Sequence, residues 1–280
     1  MSTTLEGKVA FVTGAARGQG RSHAIELARE GADIIAVDVA HDLPELGLGY
    51  ALGTAEDLAE TAAEVEKLDR RIVTAEVDVR DGAALAAALD AGVAELGGLD
   101  IVAANAGIAA NSVPTHEITD EAWEQMLAIN LTGVWKTSKA AVPHLVAGGR
   151  GGSMILTSSM AGLRGYQGIG AYTAAKHGVV GLMRVLASEL AQHSIRVNSV
   201  HPTQVETPML LNDATYKIFR PDLENPTLED FIPASAGMHA LPVPWAEPRD
   251  ISRAVVFLAS EDSRLITGVT LPIDAGLMVK

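Results

Sequence analysis

Not one of the 280 residues is cysteine, so disulfides, thiolate nucleophiles and sulfur-ligated metals are excluded at the outset. Positive charge is scarce as well: 21 Lys and Arg stand against 35 Asp and Glu, a net charge of −14. Such a surface repels nucleic acid and anionic membranes and is silent on a neutral small molecule. No apolar run approaches the ~18 residues of a membrane-crossing helix. The opening stretch, MSTTLEGKVAFVTG, lacks the basic and long apolar regions of a secretory leader. These absences lead to the expectation of a cytoplasmic protein with neither a nucleic-acid nor a membrane partner. Aromatic residues are few, at 4%, yet the apolar share of 48% is enough for a full core.

What is present is an alternation. Val9 to Thr13, Asp33 to Val39, Arg71 to Val77, Leu99 to Ala104, Ser153 to Ser158, Arg196 to Val200 and Val269 to Ile273 read as strands. They are short and apolar on successive residues, as parallel strands covered on both faces are. Between them, Gly18 to Glu30, Thr54 to Leu68, Gly82 to Leu96, Thr119 to Leu145, Ala171 to Gln192 and Arg249 to Ser260 read as helices. Strict alternation predicts an α/β fold, a Rossmann-type doubly wound seven-stranded parallel sheet with helices on both faces. No linker divides the chain, so residues 1–280 are expected to form a single domain.

Two segments break the spacing. Residues 40–53 follow strand 2, where loops are usually only ~2–6 residues long. Residues 203–248 are rich in proline. Both leave the carboxyl end of a strand, the edge at which open α/β sheets bind ligands. They are expected to act as a cofactor-side insert and a substrate lid.

Strand 1 runs into Thr13-Gly14-Ala15-Ala16-Arg17-Gly18-Gln19-Gly20, and a helix follows. Gly14, Gly18 and Gly20 permit a tight turn and let a pyrophosphate approach the free N–H groups of that helix. Asp38 ends strand 2, about 20 residues further on, where a carboxylate accepts from both hydroxyls of an adenosine ribose. A 2′-phosphate there meets like charge, which favours NAD over NADP. Arg17 argues the other way, because its guanidinium is able to pair with that phosphate. Asp38 carries more weight: contact repulsion is hard to offset, whereas Arg17 is free to turn to solvent.

Tyr172 and Lys176 lie four apart in a helical segment and share a face. Val179, Val180 and Met183 put the lysine stem on the apolar stripe, where an ammonium needs a partner. An ammonium beside a phenol stabilises the phenolate, and together with an oxidised nicotinamide it is expected to bring the tyrosine's pKa toward neutrality. Ser159 stands at the carboxyl end of strand 5, with twelve residues between it and Tyr172. Asn130 falls on the apolar stripe of the long helix, after Trp123 and Met126 and before Gly133, and so must find a hydrogen-bond partner.

Together with Asp78 in Asp78-Val79-Arg80-Asp81, with Asn105-Ala106-Gly107 and with Pro202…Thr207-Pro208, these residues resemble the short-chain dehydrogenase/reductase family over nearly the whole chain. The resemblance implies that Ser159, Tyr172, Lys176 and Asn130 are catalytic. It implies that Asp78 and Val79 meet the adenine, that Asn105 braces strand 4 and that Lys176 also bonds the nicotinamide ribose. It assigns Val205 and Thr207 to the carboxamide, with Gln19, Ala106, Gly107 and Pro202 in the same cofactor set. A homotetramer is implied too. One departure is Thr203, which stands where the family usually has glycine.

Gly18-Gln19-Gly20-Arg21-Ser22-His23, the insert after Asp38, Leu68 to Val73, His201-Pro202-Thr203 and Phe219 to Pro226 resemble the mycofactocin-coupled branch, typified by carveol dehydrogenases. That likeness implies NAD that does not exchange freely and is reoxidised in place by mycofactocin, a separate electron carrier. The insert 40–53 is placed to close over the ribose.

The expected chemistry is hydride transfer with a general base. Tyr172 takes the proton of a secondary alcohol, Ser159 orients the oxygen, Lys176 assists Tyr172, and Asn130 holds a water that passes protons outward. Met160, Leu163, Tyr166, Met209, Leu210 and Leu211 suggest a hydrophobic pocket for a terpenoid or other cyclic alcohol, or its ketone. His177 and His201 lack spaced partners and read as structural, and no metal-ligand pattern occurs. Gly148 to Gly152 reads as a turn, and Asp120 and Glu121 as first-turn charges. Two rivals stand beside this reading: an NADP-dependent carbonyl reductase with free cofactor, and a non-catalytic NAD-binding sensor. The second has no use for Ser159, Tyr172 and Lys176 at reactive spacing.

Overall fold

A computed structural model of the chain describes residues 4–109 and 112–280. Residues 1–3, part of the stretch searched for a leader, lie outside the described residues, as do 110 and 111. The elements in chain order are β1 (Val9–Thr13), α1 (Gly18–Arg29), β2 (Asp33–Asp38), α2 (Ala55–Glu66), β3 (Ile72–Glu76), α3 (Gly82–Leu96) and β4 (Ile101–Ala104). There follow α4 (Asp120–Leu127), α5 (Gly133–Gly148), β5 (Gly152–Thr157), α6 (Gly170–Leu190) and β6 (Ile195–Pro202). Then come α7 (Asp213–Phe219), α8 (Leu228–Ala236), α9 (Pro248–Ala259) and β7 (Thr270–Ile273). No helix among the described residues is long and apolar enough to cross a membrane.

The sheet is seven-stranded and parallel throughout, in the order β3-β2-β1-β4-β5-β6-β7. This is the doubly wound architecture that the alternation predicts. The chain reverses its direction of travel between β1 and β4, and the carboxyl ends of these strands form the crevice. All five residues of β1 are buried and the edge strand β3 is half exposed, which follows from helices covering both faces of the central strands. Leu27, Leu58, Ile251 and Val255 of α1, α2 and α9 pack one face; Leu85, Leu89, Leu145, Val179 and Met183 of α3, α5 and α6 pack the other.

The segment expected as one helix from Thr119 to Leu145 is helical but not continuous. A π turn at Ala128–Thr132 separates α4 from α5, and the second helix runs on to Gly148. The extra residue re-aims the stripe at Asn130. Residues 203–248 are also more regular than their prolines suggest. Asn212 caps α7, and Thr227 and Asp230 form a reciprocal capping box that starts α8. Tyr216, Phe219 and Trp245 surround the buried Phe231, at centroid separations of 5.1, 4.8 and 6.0 Å. Gly149 and Gly151, both at positive φ, turn the chain between α5 and β5. Thr119 caps α4, with Asp120 and Glu121 in the first turn.

Candidate active site

The carboxyl edge of the sheet opens on a cavity of 690 Å³ that reaches from Asp38 to Tyr172. At one end Gly14, Arg17, Gly18 and Gln19 face it, with Asp38, Asp78 and Val79 beyond. Gly20 lies beneath the loop: a Cβ there would stand 1.8 Å from the Gly14 carbonyl oxygen, so nothing larger than glycine fits. Two other helices supply a clear contrast. Thr54 and Asp57 box the start of α2, and Asp81 caps α3, but α1 has no capping side chain and no acid in its first turn. Its N–H groups remain for an anion, and the residues present fit a dinucleotide's pyrophosphate.

Asp38 is oriented by its own backbone surroundings. Its Oδ2 accepts from the Ala16 N–H at 2.9 Å and its Oδ1 from the Ala40 N–H at 3.1 Å. Each oxygen keeps a lone pair for a ribose hydroxyl. Asp78 is paired with Arg80 at 2.6 Å. Asn105 donates from its side chain to the Thr13 carbonyl at 3.1 Å, while Thr13 Oγ1 accepts from the N–H groups of Asn105 and Ala106. The ends of β1 and β4 are thereby clamped together, and Asn105, Ala106 and Gly107 line the cavity floor.

Residues 40–53 cross this end of the cavity. The Tyr50 hydroxyl accepts from the Ala109 N–H at 2.9 Å, and the Arg17 guanidinium donates to the Ala51 carbonyl and lies 5.9 Å from the Tyr50 ring centroid. Arg17 is therefore committed to the strap rather than turned to solvent. Burial pushes the Tyr50 phenol up to about 12, so it is a neutral group. Length alone reveals such an insert; the role of Tyr50 in it has no signal in the sequence.

At the other end the structure brings Ser159, Tyr172 and Lys176 together. The Ser159 side chain lies beside the Tyr172 phenol, close enough to lower it as a hydrogen-bonding neighbour. Lys176 Nζ lies 5.6 Å from the Tyr172 ring centroid and donates to the Thr157 carbonyl at 2.9 Å. Burial is the larger influence on both groups of this pair. Burial raises Tyr172, with Ser159 opposing it, and burial lowers Lys176 to about 8. At about 8 the lysine keeps most of its charge at neutral pH, yet burial governs the phenol here, and the positive charge of an oxidised nicotinamide would favour the phenolate in its own right.

Asn130 finds the hydrogen-bond partners that its place on an apolar stripe requires. It is fully buried, does not line the cavity, and spends its side chain on Ile108, accepting from the N–H and donating to the carbonyl, both at 2.8 Å. The partners that the apolar stripe demanded are thus the Ile108 backbone and the Met126 sulfur, which take both N–H donors of Asn130 and one lone pair of its oxygen. Pro202, Val205 and Thr207 do line the cavity, and Thr207 Oγ1 bonds the Val205 carbonyl at 3.2 Å. Thr203 keeps an orderly path, its N–H donating to the Ile273 carbonyl at 3.1 Å as a continuation of the β6–β7 pairing.

His177 is exposed and bonds only its own helix. His201 is not a bystander, because its Nδ1 lies 2.7 Å from the Ser159 carbonyl oxygen. Met160, Tyr166, Met209 and Leu210 line the far wall as expected; Leu163 and Leu211, in the turns that follow Ser159 and Thr207, do not. Ile218, Phe219, Met238 and Leu277, from α7, the turn after α8 and the C-terminal turn, join that wall; of these the sequence marked Phe219 alone, and only for its resemblance.

This fold and this cleft define a dinucleotide-dependent oxidoreductase scaffold, and the comparisons agree. A model of the short chain dehydrogenase family matches residues 8–216. The chain is 60% identical over 276 residues to (-)-trans-carveol dehydrogenase of Rhodococcus erythropolis, covering 99% of each chain. It superposes with a TM-score of 0.97 on carveol dehydrogenase from Mycobacterium avium in complex with NAD, at 59% identity over 99% of this chain and 100% of that one. A short chain dehydrogenase from Mycobacterium paratuberculosis bound to NAD is similar at 47% identity and a TM-score of 0.90, covering 99% of this chain and all of that one. The chain belongs to the short-chain dehydrogenase family.

Proposed function

We propose that the protein is an NAD-dependent dehydrogenase of hydrophobic, cyclic secondary alcohols of the carveol kind. The observation that carries this reading is the meeting of Ser159, Tyr172 and Lys176 at one end of a cavity whose other end is Asp38. The carveol and NAD of the relatives named above support the same choice. Arg17, engaged by the strap, is not poised for a 2′-phosphate, which speaks against NADP.

When bound, oxidised nicotinamide supplies the hydride acceptor and a positive charge. Ser159 orients the alcohol oxygen, and Tyr172 withdraws its proton as the carbinol C–H bond breaks. Lys176 and the incoming cation together favour the phenolate, offsetting the burial that raises it. Moving a phenol from ~10 to near neutrality takes about 4 kcal/mol, which the two positive charges would share. Asp38 holds the adenosine ribose, and Gly14, Gly18 and the start of α1 hold the pyrophosphate. Replacement of Tyr172 by Phe is expected to cut turnover at least ~100-fold while cofactor stays bound; a variant with near-normal turnover overturns the assignment.

The finer reading is that NAD stays under the strap and is reoxidised there by mycofactocin. Support comes from the Tyr50–Ala109 and Arg17–Ala51 bonds, which span the cofactor end of the cavity. The test begins with freshly purified protein: released nicotinamide is measured by mass after denaturation, and carveol turnover with added NAD is compared with turnover on an electron-accepting dye. Stoichiometric NAD with turnover on dye alone is expected; an empty protein driven by free NAD keeps the dehydrogenase and removes the coupling.

We further take the chain as one domain working as a cytoplasmic homotetramer. The exposed Trp123 and Trp135 on α4 and α5, and Phe257 and Val269 beside α9 and β7, offer apolar faces for such an assembly. A monomeric mass by light scattering would sink the tetramer.

A further inference from the structure

Two segments wall the cavity on its open side, and they abut each other. The strap contributes Tyr50 and Leu52 to the lining, and the lid contributes Met209, Thr215 and Phe219. They meet at Gly49 and Ala214, two residues outside that lining: a Cβ on Gly49 would stand 2.6 Å from the Ala214 Cβ. No side chain fits between them, so the strap backbone rests directly on the Ala214 methyl group. The next atoms, Asn212 Oδ1 and the Ala214 Cα, would lie 3.9 and 4.0 Å away, at ordinary contact distance. One methyl group sets the fit.

Each side of this contact is tied to the cavity by its own anchors. Behind Gly49, the neighbouring Tyr50 is bonded to Ala109. Leu48 and Leu52 pack on the cluster of Ile108, Met126 and Ile129, against which Tyr172 also packs. Behind Ala214, Asn212 caps α7 by accepting from the Thr215 N–H at 2.9 Å. The same side chain donates to the Pro208 and Met209 carbonyls, both at 3.0 Å, and these two residues line the cavity beside Thr207. Close-packed contacts transmit displacement rather than absorb it, so the start of α7 and the strap have little room to move independently.

We propose that strap and lid form one interlocked closure: an alcohol or ketone seated under the lid locks NAD beneath the strap, so that occupancy of the substrate end slows loss of the cofactor. This rests on the reading of the cavity as a site for NAD and an alcohol. Linkage makes the effect reciprocal, and NAD tightens ketone binding by the same factor. Direct contact between two ligands in one cavity gives an effect of the same sign. The Gly49–Ala214 contact separates the two sources, because it lies outside the cavity lining and touches neither ligand.

The test is the rate at which protein loaded with isotopically labelled NAD loses its label into excess unlabelled NAD, with and without saturating carvone. Carvone is the ketone of carveol, and oxidised NAD has no hydride to give it, so no turnover intervenes. In the unaltered protein carvone is expected to slow the loss at least ~5-fold. Gly49 is not at positive φ, so Gly49→Ala enters without backbone strain and places a second methyl where there is room for one. Strap and lid cannot then both be seated, and carvone is expected to leave the loss unslowed or to hasten it. Adding Ala214→Gly moves the methyl from α7 to the strap and is expected to restore the slowing to within ~2-fold of the original. The proposal is overturned if carvone has no effect on the unaltered protein, if the slowing persists in Gly49→Ala, or if the moved methyl fails to restore it. Turnover of carveol by the unaltered protein judges the dehydrogenase reading separately.

Discussion

His201 Nδ1 lies 2.7 Å from the main-chain oxygen of Ser159, and its Nε2 lies 2.8 Å from Ser199 Oγ. The carbonyl can only accept, so Nδ1 donates to it and Nε2 accepts from Ser199. Burial, aided by the nearby Lys176, lowers His201 to about 4 and keeps this arrangement in its neutral form. Ser159 also accepts, through Oγ, the Ala161 N–H at 3.1 Å as it opens the turn Met160–Gly162. The ring thus pins the backbone from which the Ser159 hydroxyl is aimed at Tyr172.

A positioning residue of this kind acts on rate more than on affinity. His201→Phe removes the donor and is expected to lower kcat ~10- to 100-fold, with little change in the KM for the alcohol. His201→Asn, whose amide is able to donate from nearly the same place, is expected to recover a substantial part of kcat. Steady-state kinetics of the two variants decide the matter: equal losses in both, or no loss in either, would remove His201 from the site.

The pH dependence of stability carries its own signature. Burial lowers His23 to about 3 and His201 to about 4. Between these values and the ~6.5 of an unfolded histidine, the unfolded chain binds more protons than the folded one. Stability is therefore fully present above pH ~6.5 and falls as pH drops toward 4, by about 1.4 kcal/mol per histidine per pH unit. Urea unfolding at pH 7, 5.5 and 4.5 is expected to trace that fall, and His23→Asn to flatten it by roughly half. Stability that is level across this window contradicts the burial of both rings in neutral form.

These relationships mark the boundary of what the sequence discloses. The strands announce themselves because both faces are covered, as in Val9–Thr13, where every residue is buried. Gly14, Gly18, Asp38 and the Ser159–Tyr172–Lys176 set are legible because backbone geometry ties each to a strand end or a helical face. The π turn at Ala128–Thr132 is not, since one added residue alters which way Asn130 faces without altering the apolar pattern. The two helices after Asn212 are hidden by prolines, one of which, Pro233, sits inside α8. Depth is hidden as well: spacing shows that Lys176 neighbours Tyr172, but only packing shows that burial lowers the lysine to about 8. Partners distant along the chain, such as Tyr50 and Ala109, leave no local trace.

That last pair leads to a test of cofactor retention. Tyr50 reaches from the strap after β2 to the loop after β4, and Gly53 closes the same strap against Ala16, where a Cβ would come within 2.7 Å of the alanine's own. On the proposed reading, a dinucleotide bound between Asp38 and Tyr172 would lie beneath this span and leave only when the strap lifts. Tyr50→Phe keeps the ring and its contact with Arg17 but removes the acceptor for the Ala109 N–H, at a cost of ~1–3 kcal/mol. Release of NAD is expected to quicken ~5- to 100-fold, since the lost bond favours the open strap. Desalted Tyr50→Phe protein should then carry less than stoichiometric NAD and respond to added NAD, while its turnover with saturating cofactor stays within a few-fold. A variant that keeps its NAD as firmly as the unaltered protein would place the barrier to exchange elsewhere, in the clamp of Asp38 and the glycine loop rather than in the strap.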